Sequence, residues 1–395
     1  MTSPLASLKI LDFSALLPGP FGSMMLADLG AEVLRVEAPN RPDMVRFVPP
    51  YDGDASAWHR LLNRNKRSIA LDLKQPEAVE IVKRLVSGGG YDIVLEQFRP
   101  GVMDKLGVGY EALRMMNPGL IYCAVTGYGQ TGPYRDRAGH DNNYLALAGV
   151  MSHSGRKEGG PPPLAVQVAD IGGGALGAVV GILTAVIHRH HTGQGQFVDI
   201  SMFDMSIAWH AHAVSHYLVG GETPEPESWQ LNGGSYYDFY ETADGRYLSV
   251  GSLEPKFWEG FCQAIARPDL TPRGFDQSAA NQQTLKAEIR ATILGKTLPE
   301  WTDIFTGYDV CVEPVLTIPE MVAHPQTQAR QMIVAVPKPN GTTQAQVGSP
   351  FKFSQTEPVY HHVGGDVGAD TTAVLHELGY TDAEIEGLRG RGVCR

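Results

Sequence analysis

The stretch "LKILDFSALLPGPFGSMMLADLGAEVLRVE", Leu8–Glu37, decides the fold. It opens on an apolar run through Phe13 and turns at Pro18-Gly19-Pro20. It continues as a helix-like segment closed by Gly30, then gives a second apolar run, Ala31–Glu37. A strand, a helix and a strand in immediate succession form a crossover unit, whose two strands lie parallel. The pattern then repeats. Ser68–Lys74 reads as a strand, and Gln75–Gly90 as a helix with Pro76 near its start and glycines at its end. Asp92–Phe98 and Leu120–Gly129 read as further strands. Strands separated by helices of this length predict an open, parallel, Rossmann-like sheet in a large α/β domain. The Gly19-Pro20-Phe21-Gly22 turn is not a GxGxxG dinucleotide fingerprint.

Around Gly220 the composition changes. "GGETPEPESWQLNGG" is rich in Pro, Glu and Gly, and "YYDFYETADGRYLSVGS" after it reads as a hairpin. Helical segments follow to about Phe305, then an extended, Pro-punctuated stretch, then a tail that reads as helix, turn, helix. The expected organisation is a large α/β domain at 1–205, a linker at 206–230, a smaller α+β domain at 231–325, and a second linker at 326–350. A C-terminal segment, 351–395, is expected to return to the large domain.

Of the 395 residues, 43% are hydrophobic and 19% charged, which supports a sizeable core and argues against disorder. A net charge of −11 argues against nucleic acid as the main partner. Cys123, Cys262, Cys311 and Cys394 are far apart and make no metal or CxxC spacing, so a reduced, cytoplasmic protein is expected. The N-terminus has no basic region followed by a long apolar run. The longest uncharged run, Ile171–Ile187, is 17 residues and holds Gly172, Gly173, Gly174, Gly177 and Gly181. That is shorter than the roughly 20 residues of a spanning helix, so it is expected as a buried helix, with no membrane partner.

Ligands of open parallel sheets sit beyond the carboxyl ends of the strands. There the sequence puts Leu71, Asp72 and Lys74 on one rim, and Glu96, Gln97, Arg99 and Lys105 on another. The basic residues suit phosphates, although solvated charges at helix starts read the same way locally. His140 stands in "QTGPYRDRAGHDNNYLALAGV", between a glycine and Asp141. By itself it reads as a loop histidine. Asp170 precedes three glycines and an apolar helix, the position of an N-cap. Glycines there leave room for a ligand to approach the backbone, and a helix start offers N–H groups to an oxyanion. Glu254 stands before Pro255 at an expected helix start. His212 and His216 are four apart, but without HExxH or a nearby acid they make no metal site.

Taken in order, "LKILDFSALLPGPFGSMMLADLGAEVLRVEAP", "NRNKRSIALDLK", "EQFRPGVMDKLG", "GYGQTGP", "AGHDNNY", "DIGGG", "GQFVDISMFD" and "YYDFYETADGRYLSVGSLEPKFW" resemble the family III CoA-transferases. The C-terminal "LHELGYTDAEIEGLRGRGV" fits as well. Within that family the chain looks most like the 2-methylacyl-CoA racemases. The resemblance implies an interlocked homodimer with the active site between one subunit's large domain and the other's small domain. It implies His140, Asp170 and Glu254 as catalytic residues, with Glu254 coming from the partner chain. It also implies Leu71, Lys74, Glu96, Gln97, Val102, Lys105, Asp141 and Tyr144 at the CoA site. Ala38 stands where many relatives carry an arginine, and Arg41 is the expected substitute.

The expected reaction is epimerisation of an acyl-CoA by proton transfer through an enolate. His140, with Glu254, would serve one face and Asp170 the other. Coenzyme A is then part of the substrate, and no further cofactor is required. The alternative is CoA transfer between a thioester and a free acid with Asp170 as nucleophile. The chain lacks the run of four glycines typical of those transferases, which favours the racemase.

Overall fold

The computed structural model describes residues 3–395. Contacts divide the chain into two units. The first comprises the segment ending at Leu147, Leu164–Trp209 and Pro325–Arg395; the second comprises Ala148–Pro163 and His210–His324.

The first unit is built on a six-stranded parallel sheet. Its strands are β1 (Lys9–Asp12), β2 (Glu32–Glu37), β3 (Lys66–Ala70), β4 (Ile93–Glu96), β5 (Ile121–Thr126) and β6 (Phe197–Ser201). They lie in the order β3-β2-β1-β4-β5-β6. Leu11 pairs with Leu34 on one side and with Val94 on the other. This is the doubly wound order, and its switch point lies between β1 and β4, where the loops leaving their carboxyl ends diverge. The sixth strand, FVDIS, was not anticipated: Asp199 interrupts its apolar run, and pairing with β5 makes it a strand.

The helix Pro18–Asp28 has Pro18 and Pro20 in its first turn, where missing N–H groups cost nothing. All of its residues except Phe21 are buried, as expected of a helix covered on every side. Gly30, with φ of +96°, then turns the chain into β2. The helix Pro76–Ser87 is amphipathic: Ala78, Ile81, Val82, Leu85 and Val86 face the sheet. Each fully buried aliphatic side chain there contributes about 1.5–3 kcal/mol. The C-terminal helices Thr371–Glu377 and Asp382–Gly390 bury Val374, Leu375, Ile385 and Leu388 in the same core.

Residues 326–350, expected as a linker, hold an antiparallel hairpin, Ile333–Pro337 with Thr343–Val347. Its turn contains Asn340-Gly341, and Gly341 takes φ of +80°. The apolar run read from the sequence extends into a 24-residue helix, Ala169–Thr192, holding an 18-residue window of mean hydropathy 1.8. By length and composition this helix is sufficient to cross a membrane. It packs against β5, β6 and the helix Pro18–Asp28, while Val180 and Ile187 are exposed.

The second unit carries a three-stranded antiparallel sheet, Asp238–Glu241, Tyr247–Val250 and Val312–Pro314. Helices Pro255–Ala264, Ala279–Ile293 and Leu298–Thr306 enclose a core around Trp258, Phe261 and Trp301. Residues 148–163, expected in the large domain, group with this unit. Arg156 forms a two-bond ion pair with Asp238, and Asn232 donates to the His153 carbonyl at 3.1 Å.

Candidate active site

The loop leaving β1 is held by buried charge. The Asp12 carboxylate accepts the Ser14 backbone N–H at 2.9 Å and the Lys66 ammonium at 3.2 Å. Burial opposes ionisation of Asp12, but Lys66 and Arg35 hold its carboxyl below the ordinary range. Burial also brings Lys66 down to about 8. Further along, Leu16 takes a left-handed φ of +61°. Its N–H donates at 3.0 Å to the Asp43 carboxylate, which Arg35 also clasps at 2.5 Å. Thus the basic and amide residues of "NRNKR" are structural: Arg64 makes a two-bond pair with Asp28, and Asn65 donates to Asp28 at 2.9 Å.

At the switch point a cavity of about 420 Å³ opens. Leu16 and Pro18 line it from the loop after β1, Gln97–Pro100 from the loop after β4, and Gly127–Tyr128 and Arg135–Tyr144 partly from beyond β5. Asp170 and Met202 complete the wall. Gln97 ties two of these elements together, accepting the Gly19 N–H at 2.9 Å.

His140 is exposed in this wall. Its backbone N–H donates to the Asn143 side chain at 2.9 Å, which fixes the start of the helix Asp141–Leu147. Tyr144, on that helix, donates its hydroxyl to the Gly139 carbonyl at 2.5 Å. The tyrosine ring explains the glycine before His140. A β-carbon on Gly139 would lie 2.6 Å from Tyr144, and one on Gly127 would lie 2.5 Å from it.

Asp170 differs from its expectation. It is not the N-cap; it lies inside a π-helical turn, Ala169–Leu176, whose N-cap is Val168. The capping carboxylate is Asp141, which accepts the N–H groups of Ala169 at 2.7 Å and Asp170 at 3.1 Å. Those two donors are therefore not free for an oxyanion. Burial raises the Asp170 carboxyl to about 6, the Asp141 charge adds to the rise, and His140 opposes it. The following glycines make room for protein side chains, not for a ligand. A β-carbon on Gly172 would sit 1.9 Å from the Trp209 ring, and one on Gly174 would sit 2.7 Å from Pro18.

Of the residues singled out from the sequence, Gln97, His140, Tyr144 and Asp170 share the cavity, with Asp141 behind it. Glu96 is buried at the end of β4 and accepts the Phe98 N–H at 2.6 Å. Burial pushes its carboxyl up to about 8; that hydrogen bond opposes the rise, and Asp104 adds to it. Val102 and Lys105 begin and end the short helix after that loop. Lys74 and Arg41 are exposed, whereas the Leu71 side chain lies in the core and its backbone bridges to Cys394. Glu254 belongs to the second unit, exposed at the N-cap of Pro255–Ala264, with its carboxylate making no cap bond. Sequence reasoning missed Arg135 and Arg137. Their signal was present in "PYRDRAGHD", two arginines just before the histidine.

Residues 5–371 match the CoA-transferase family III. An alpha-methylacyl-CoA racemase of Homo sapiens is 35% identical over 392 residues, spanning 96% of this chain and 95% of that protein. A succinate–glutarate CoA-transferase of Agrobacterium fabrum is also 35% identical, over 389 residues that span 95% of this chain and 96% of that protein. The crystal structure of a CAIB/BAIF family protein from Brucella suis superposes with a TM-score of 0.81 at 29% identity, covering 96% of this chain and 100% of that one.

Proposed function

The chain belongs to the CoA-transferase family III, and we propose that within it the chain interconverts the two configurations of 2-methyl-branched acyl-CoA thioesters. The observation that carries this reading is the shared cavity of His140 and Asp170, with the Asp170 carboxyl held at about 6. A carboxyl so poised is accessible in both protonation states near neutral pH, which proton return requires.

In one direction neutral His140 takes the α-proton and leaves a planar enolate. Protonated Asp170 then gives a proton to the opposite face. The reverse direction uses the same groups with their protonation states exchanged. Each acid/base group is worth about 10²–10⁴ in rate. Asp141 sets the chemistry of Asp170 twice over, through its charge and by holding the turn that carries it.

The reading includes an interlocked homodimer in the cytoplasm, with Glu254 of one chain assisting His140 of the other. It includes CoA held at the carboxyl rim by Arg41, Lys74, Gln97 and Lys105, and no resident cofactor. A second reading, CoA transfer with Asp170 as nucleophile, is favoured by the equal identity of the Agrobacterium fabrum transferase. The test is incubation of the protein in D₂O with (R)-2-methylacyl-CoA and no added acid. Deuterium uptake at the α-carbon with loss of configuration is the expected result. No exchange, with new CoA esters formed once acids are added, would replace the racemase reading by the transferase one.

A further inference from the structure

Removal of the α-proton puts negative charge on the thioester oxygen, and that charge needs a hydrogen-bond donor held in place beforehand. Several donors of the cavity wall are engaged. The N–H groups of Ala169 and Asp170 go to Asp141, and that of Ile171 goes to the Gln167 carbonyl at 2.9 Å. Tyr144 gives its hydroxyl to the Gly139 carbonyl. Asn143 differs. It stands in the same wall, as the third residue of the helix Asp141–Leu147. Its amide oxygen accepts the His140 N–H at 2.9 Å, and its own backbone N–H donates to the His140 carbonyl at 2.8 Å. An N–H can be met only by the oxygen of a side-chain amide, so the NH₂ end of Asn143 is the one left over. It has no hydrogen-bond partner among the described residues.

We propose that Asn143 is a catalytic residue, whose side-chain NH₂ donates to the thioester oxygen as negative charge builds on it. This rests on the reading of the cavity as an acyl-CoA site. His140 takes the α-proton, the electron pair of the C–H bond closes the C=C bond of the enolate, and the carbonyl π pair moves to oxygen. Asn143 donates a hydrogen bond to that oxygen and transfers no proton. The oxygen is two covalent bonds from the α-carbon, so its donor belongs beside the base. Asn143 meets this condition, because the bond that orients its amide is made to His140 itself. The rival donor is the Tyr128 hydroxyl, which would lie 2.9 Å from a β-carbon on Gly139. No hydrogen bond fixes that hydroxyl among the described residues, although the ring packs edge-on against Tyr144. The Asn143 amide is preorganised. CoA transfer would use the same donor, since attack of Asp170 on the thioester carbonyl puts charge on the same oxygen.

The test is α-deuterium exchange by the full chain with (R)-2-methylpentanoyl-CoA, with CoA transfer to added succinate followed in parallel. Rates are compared at the maximum of each variant's own pH profile, and binding of free CoA is followed by calorimetry. Loss of one oxyanion donor costs about 10²–10³ in kcat. Asn143→Ala should therefore lower kcat about a hundredfold, with KM and CoA binding within about threefold of wild type. Asn143→Asp keeps the shape and the acceptor for the His140 N–H, but puts an anionic oxygen where the NH₂ was. It should be at least as slow as Asn143→Ala. A residue that only positions His140 would instead be rescued by aspartate, so a near-normal kcat in Asn143→Asp overturns the proposal. A change in KM without one in kcat overturns it, and so does loss of CoA binding in both variants. A loss of the expected size in Tyr128→Phe, with Asn143→Ala near wild type, gives the role to the tyrosine and overturns it too. A wild type that transfers CoA without exchanging deuterium removes the racemase reading alone, and slow transfer by both Asn143 variants then supports the donor. A wild type that does neither overturns the proposal together with the acyl-CoA reading.

Discussion

Replacing Asp141 by asparagine should separate the two things this carboxylate does. The side chain keeps its shape and retains an oxygen to accept from Ala169 and Asp170, now 2.7 and 3.1 Å away. It loses the charge that helps burial raise Asp170 to about 6. The Asp170 carboxyl should then titrate lower. At pH 5 a group with a pKa of about 6 is only about one tenth ionised, and lowering it by one unit makes it about half ionised, a gain of about fivefold. In the direction in which ionised Asp170 takes the α-proton, the acidic limb of the pH profile, measured as kcat/KM, should move to lower pH accordingly. The cap should weaken as well. A hydrogen bond to a charged acceptor is worth about 1.5–3 kcal/mol and a neutral one about 0.5–1.5. Two such bonds bound the stability loss at about 2–3 kcal/mol, partly offset by relief of the repulsion between Asp141 and Asp170. Thermal denaturation beside the kinetics would show both effects. An acidic limb that stays in place or moves up would refute the coupling of Asp141 to Asp170.

His140→Ala should lower α-exchange at least about a hundredfold while CoA binding, followed by calorimetry, is largely kept; near-normal exchange would remove His140 from the chemistry. Glu96→Gln should stabilise the protein at alkaline pH. The raised folded pKa of about 8, against 4.5 unfolded, means that the wild type loses stability as pH rises through that window, and glutamine has no charge to bury. Melting curves from pH 5 to 9 should show the difference growing with pH, and a constant difference would contradict it. Gly172→Ala places a methyl group 1.9 Å from the Trp209 ring and should cost about 1–3 kcal/mol, read as a lower urea midpoint.

The buried charges around β1 give the cavity its rigid side. Leu16 is a non-glycine residue in left-handed backbone, a conformation that persists only where the surroundings impose it. Here Asp43, itself held by Arg35, imposes it from 27 residues away. The opposite side is made of loop, with exposed arginines and an exposed histidine. One wall is thus preorganised by the fold, and the other is loop that carries exposed polar and charged side chains.

The parallel sheet, the helices Pro18–Asp28 and Pro76–Ser87, the hairpin of the second unit and the helix-turn-helix tail were legible in the sequence. Each rests on signals within a few residues: alternation, a 3.6-residue apolar period, a proline at a helix start, a glycine at its end. The rim of strand ends was legible too, because parallel sheets bind ligands there. What the sequence left open depends on partners far along the chain. Locally Asp170 has every mark of an N-cap, yet Asp141, 29 residues earlier, takes that place and changes its protonation. The glycines after it suggest room for a ligand, and Trp209 fills that room. Arg135 and Arg137 look like ordinary loop charges until the loop after β4 brings Arg99 to the same cavity. Local signals determine which elements form. Which side chains face one another is decided by tertiary packing, because it is the close approach of distant segments that takes Asp170 out of water and brings the arginines around one cavity.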